Sequence, residues 1–194
     1  MMRGPSLSTR GFTLIELVVS AALGVLVMAL IGGLLVSTLN AQSSVRAAAQ
    51  SSNTGQLVAK ALTRDVRGAR DLSTAVPFVG TCLLRLTVVD NALTTPVSVR
   101  FVAWYFGNGE IRTRRSTIAI ADPASPAAVT ATWTQLATGV QRSGSTPVFV
   151  TTGSQVGLTF TVAGAAGAPV LIQTTETSRQ PRPTASPGVS LPCS

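Results

Sequence analysis

The chain has 194 residues, 45% of them hydrophobic and only 11% charged, with a net charge of +8. That composition is too apolar for a disordered chain, and the absence of histidine removes Ser-His-Asp, Cys-His and zincin chemistry. The seven carboxylates are scattered from Glu16 to Glu176, so no metal or cofactor is expected and an enzyme is the weaker reading.

The apolar excess is local. Met1–Gly11 is a short leader carrying Arg3 and Arg10 and no acid. Phe12–Leu39 is an apolar run whose only charge is Glu16. At about 1.5 Å per residue it reaches ~42 Å, enough for a membrane span. It is too long for the core of a cleaved secretory signal, which runs to about 15 residues. Arginines on the leader side put the leader in the cytoplasm and residues 40–194 outside. Membrane lipid is the run's expected surroundings.

The join reads Arg10-Gly11-Phe12-Thr13-Leu14-Ile15-Glu16-Leu17-Val18. A short basic leader, Gly, Phe, Glu four positions later and a long apolar helix together resemble the class III signal of type IV pilins and pseudopilins. The resemblance implies cleavage between Gly11 and Phe12 by a prepilin peptidase. It also implies methylation of the new Phe12 amine by the same enzyme. A structural filament subunit follows, with other pilin or pseudopilin subunits and an inner-membrane assembly platform as partners. The subunit would sit in the cytoplasmic membrane first and in a pilus or pseudopilus afterwards.

Glu16 has a physical reading of its own. A carboxylate inside a spanning helix costs about 2.5–3.5 kcal/mol on insertion scales and calls for a partner. No Lys or Arg lies between Arg10 and Arg46. After cleavage the Phe12 amine becomes a cation at similar depth, so Glu16 of one subunit can face Phe12 of a neighbour. Pairing of this kind sets an axial step, and removing one partner strands the other. The alternative is a Glu16 that reaches the interface or is protonated. Gly24, Gly32 and Gly33 permit close helix approach or a loosened turn; ordinary membrane-helix glycines are the alternative.

Beyond Leu39 the helix is expected to continue to about residue 71, with a weak stretch near 51–55. Val58, Leu62 and Val66 make an apolar stripe, and Lys60, Arg64, Arg67 and Asp71 a charged one. Leu62-Thr63-Arg64-Asp65-Val66-Arg67-Gly68-Ala69-Arg70 is similar to the end of the long helix in PilW-type minor pilins and J-type pseudopilins. Arg64, Arg67 and Arg70 form either a basic ridge or a solvated helix face.

From Thr81 the pattern turns to period two. Cys82–Val89, Val97–Phe106, Glu110–Ser116, Val156–Val162 and Val170–Thr177 read as strands. Gly107-Asn108-Gly109 reads as a hairpin turn, and Asp122–Ala128 and Gln141–Pro147 as loops. The expected fold is α+β, a long N-terminal helix packed on an antiparallel sheet of about four to six strands, as the pilin resemblance also implies. The expected organisation is a leader (1–11), a transmembrane assembly helix (12–39), its extracytoplasmic continuation (40–75), a β-rich domain (76–179) and a Pro-rich tail (180–194).

Cys82 and Cys193 are the only cysteines, and both fall outside the cytoplasm in this topology. A bridge is permitted there, and pilins often secure their C-terminal region in this way. A buried Cys82 with a free Cys193 is the alternative. Basic groups at Arg64/Arg67/Arg70, Arg112/Arg114/Arg115 and Arg179/Arg182 suit phosphate contacts. Stacking aromatics are few and no nucleic-acid-binding motif is present, so nucleic acid is a possible partner without support. The leading function is a minor pilin or pseudopilin in filament priming. The other is a membrane-anchored extracytoplasmic binding module, including a DNA-binding one in competence.

Overall fold

The computed structural model describes residues 13–91, 93, 96–164, 167–180 and 193. The expected leader, with Gly11 and Phe12, and nearly all of the Pro-rich tail lie outside the described residues. The chain divides into two compact units, residues 1–43 and 44–194.

The first unit holds the start of helix α1 (Leu14–Arg67). Its apolar side chains are exposed throughout, from Leu14 to Leu39. No proline interrupts α1, and the helix runs unbroken through Gly32-Gly33.

The second unit begins with the rest of α1, which buries the face carrying Val58, Leu62 and Val66. The stretch near Gly55 is helical rather than frayed. Gly55 is a packing site: a Cβ there would lie 2.4 Å from Cγ1 of Ile172. The helix also stops earlier than its periodicity suggests. It ends at Arg67, and Ala69–Ala75 forms strand β1 instead of further helix. Gly68 makes the handover, its carbonyl accepting the Val89 amide at 3.0 Å. A backbone group that would otherwise be an orphan of the helix end is thereby satisfied.

Two antiparallel sheets follow, in place of the single sheet expected. The first has the order β1-β2-β3-β4-β5, with β2 at Cys82–Asn91, β3 at Ser98–Gly107, β4 at Glu110–Ser116 and β5 at Thr134–Thr138. The β3–β4 loop is Asn108-Gly109, with φ of 53° and 74°. Two successive positive φ values define the type I′ turn, whose twist matches that of paired strands. In the second sheet, β8 (Gln155–Gly164) pairs with β6 (Val140–Gln141) and β7 (Phe149–Thr152) along one edge, and with β9 (Gly167–Thr177) along the other.

Strand alternation divides the interior into two cores. Leu84, Leu86, Val102, Trp104 and Phe106 point to one face of the first sheet, where they meet α1 and the inner face of β8: Val156, Leu158, Phe160 and Val162. Leu83, Ala103 and Tyr105 point to the other face and meet Val129 and Trp133. This smaller core is covered by α2 (Pro126–Thr132), whose start falls where a loop was expected. Ser125 caps α2 by accepting the Ala128 amide at 3.2 Å, and Pro126 sits at the first helical position, the arrangement that suits a missing N–H.

Candidate functional site

The first turn of α1 contains the one acid of the apolar run. Thr13 precedes the helix, and its hydroxyl accepts the Glu16 amide at 3.4 Å. Thr13-x-x-Glu16 therefore has the spacing of a capping box. A carboxylate three residues into a helix also lies near the positive end of its dipole. Sequence reasoning treated Glu16 as lacking any support from its own helix; the Thr-x-x-Glu spacing was the signal it passed over. Among the described residues Glu16 makes no ion pair. Phe12, its expected partner in a neighbouring subunit, lies outside the described residues, as does Gly11. Among the described residues nothing lies within 4 Å of a Cβ added at Gly24, Gly32 or Gly33, so none of them requires glycine there. The helix is long and apolar enough to cross a membrane.

Cys82 and Cys193 are joined by a disulfide, with Cα atoms 5.3 Å apart. Both are fully buried in the main core. The bridge holds Cys193 against the first residue of β2.

The residue that sequence reasoning missed is Asp65. It lies on the buried face of α1, only 5% exposed. One carboxylate oxygen accepts the indole N–H of Trp104 at 3.2 Å, and Arg115 donates to both oxygens, at 3.0 and 3.3 Å. The end of α1 is thus tied to β3 and β4 through one side chain. A signal was present: Asp65 is three residues after Leu62 and seven after Val58, on the apolar stripe.

The expected basic groups are partly engaged: Arg64 pairs with Asp65 at 3.6 Å, as Arg115 does at 3.0 Å. Arg67 pairs with Glu176 at 3.2 Å. Arg112 pairs with Glu110 at 2.7 Å and donates to the Thr130 and Trp133 carbonyls. Arg85 and Arg100 pair with Asp122 and Asp90. Among the described residues Arg70, Arg114 and Arg179 have no carboxylate partner within salt-bridge distance, and Arg182 lies outside them. Among the described residues no group of three or more Cys, Asp or Glu side chains is placed to hold a metal ion.

Residues 7–32 match the prokaryotic N-terminal methylation motif. This motif is the class III prepilin signal, and it supports the type IV pilin and pseudopilin family and processing by a prepilin peptidase. Together with the pilin-like α+β fold it marks a structural rather than a catalytic protein, and with the apolar helix it suggests the inner membrane followed by a pilus. No curated protein and no solved structure matches the chain.

Proposed function

We propose that the chain is a minor pilin or pseudopilin, a structural subunit of a type IV pilus or a type II secretion-like filament, acting in filament priming or at its tip. The observation that carries this reading is the methylation motif at residues 7–32, running directly into an exposed apolar helix with Glu16 in its first turn. The leader faces the cytoplasm and the β-rich unit the opposite side, as Arg3 and Arg10 ask. Prepilin peptidase cuts between Gly11 and Phe12 and methylates the Phe12 amine. The subunit then leaves the membrane through an assembly platform, its helix stacking on those of other pilin subunits. Glu16 pairs with the Phe12 amine of a neighbour, and each charge relieves the other of its cost in an apolar surround.

The mass of the mature N-terminus tests the processing step. Loss of residues 1–11 and one added methyl on Phe12 is expected, whereas an intact Met1 overturns it in favour of a plain membrane-anchored module. Glu16→Ala is expected to be processed but to enter filaments poorly. Normal incorporation of that variant would remove the pairing role.

A further inference from the structure

The last turns of α1 and one end of the first sheet enclose an open groove of about 450 Å³. Its apolar lining is the half-buried Val88 and the buried Val102, and three arginines line it from three elements: Arg64 of α1, Arg100 of β3 and Arg115 of β4. Among the described residues these three arginines face two acids: Asp65 pairs with Arg64 at 3.6 Å and with Arg115 at 3.0 Å, and Asp90 pairs with Arg100. The groove therefore keeps one positive charge in excess. Its Arg64 side chain is 71% exposed and that of Arg100 is 46% exposed. A guanidinium has five N–H donors, so pairing with one carboxylate leaves each arginine with donors for a second anion.

We infer that this groove receives an acidic segment of a different protein, with carboxylate side chains on the arginines and an apolar side chain on Val88. Charge complementarity selects this occupant over a second copy. Residues 44–194 carry thirteen basic and six acidic side chains, a net charge of +7, so copies of this unit repel one another. The apolar side chain of Val88 among the arginines favours a protein segment over nucleic acid. A nucleic-acid channel would instead set stacking aromatics along a basic track, and none of the described residues lining this groove is aromatic. Guanidinium forks also match carboxylates in paired geometry. The inference concerns the isolated subunit and does not depend on its entering a filament.

The test uses the full chain in neutral detergent micelles at low salt. The probe is a fluorescent peptide of alternating Glu and Val, compared with oligo(dT). The peptide is expected to bind, and Arg64→Gln with Arg100→Gln to weaken it at least tenfold. Both side chains are substantially exposed, and near-UV circular dichroism checks that the double variant remains folded. Arg70→Gln with Arg179→Gln removes the same charge elsewhere and is expected to change affinity less than twofold. Equal weakening by both pairs would reduce the effect to general attraction and overturn the site. Tighter binding of oligo(dT), lost in the Arg64/Arg100 variant, would overturn the acidic protein in favour of nucleic acid. Absence of binding by the peptide would overturn the proposal outright.

Discussion

Replacing Asp65 by Ala strands the indole N–H of Trp104, a side chain with no solvent exposure. It also removes the charged acceptor for Arg115. An unsatisfied buried donor and a lost charge-assisted bond together cost about 2–3 kcal/mol. Asp65→Ala is therefore expected to lower the stability of the full chain in micelles by that amount in chemical denaturation, and Asp65→Asn by less, since it still offers an acceptor to Trp104. A second residue behaves in the opposite sense. Among the described residues the buried Tyr105 hydroxyl has no hydrogen-bond partner. Burial pushes its pKa above the ordinary 10, and the nearby Thr81 hydroxyl opposes that shift. A folded-state pKa above the unfolded value means that stability is complete below pH about 10 and falls as pH rises through the folded pKa. Tyr105 is the chain's only tyrosine, so tyrosinate absorbance reads it alone, and a midpoint above 10 is expected. Tyr105→Phe is expected to cost nothing at neutral pH and to remove the alkaline loss of stability.

The disulfide belongs to the scale of elements, because it ties Cys193 to β2 across a sequence separation of 111 residues. Closure of so long a loop contributes about 4–5 kcal/mol on chain-entropy grounds. Cys193→Ser is expected to lower the denaturation midpoint accordingly, and reduction of the native chain to raise its mass by two hydrogens. Elements of this length show how far the fold was legible. The strands at Glu110–Ser116 and around Val156–Val162 were readable because each alternates long enough to define a face. Thr134–Thr138 and Phe149–Thr152 are too short to do so, and only pairing with β4 and β8 makes them strands. Residues 69–75 were misread because Arg67 and Asp71 keep helical spacing. Side-chain period does not reveal a backbone handover such as that from the Gly68 carbonyl to Val89. Likewise α2 has only seven residues, too few for a stripe, although Ser125-Pro126 announced its start. Of the candidate site, Cys82 and Cys193 were legible as a permitted pair, because they are the only two cysteines and the expected topology puts both outside the cytoplasm. Asp65 was not, because an acid among arginines looks like a solvated helix face until Trp104 and Arg115 arrive from distant strands.

At the scale of the molecule the two units differ in kind. Residues 14–43 are exposed along their whole length, and buried side chains begin only at Ser51. Neither core draws on the apolar run. A chain starting at Ser44 is therefore expected to be water-soluble without detergent and to keep the near-UV circular dichroism of the full protein. Aggregation of that fragment, or loss of its aromatic signal, would mean that the first unit contributes to the fold.

The bond between Cys82 and Cys193 also decides how the chain carries tension. A pull applied at or beyond Cys193 enters the backbone at Cys82, the first residue of β2. It then continues toward α1 through β1. The backbone from Leu83 to Pro192 closes a covalent ring outside that load path. Within the backbone, stretching is limited to the short segment before Cys82. There β1 and β2 are held in register from Ala75↔Leu83 to Ala69↔Val88. Tension at Cys193 is thus passed to α1 through β1, while the strands from β2 onward lie in a loop that the pull does not thread.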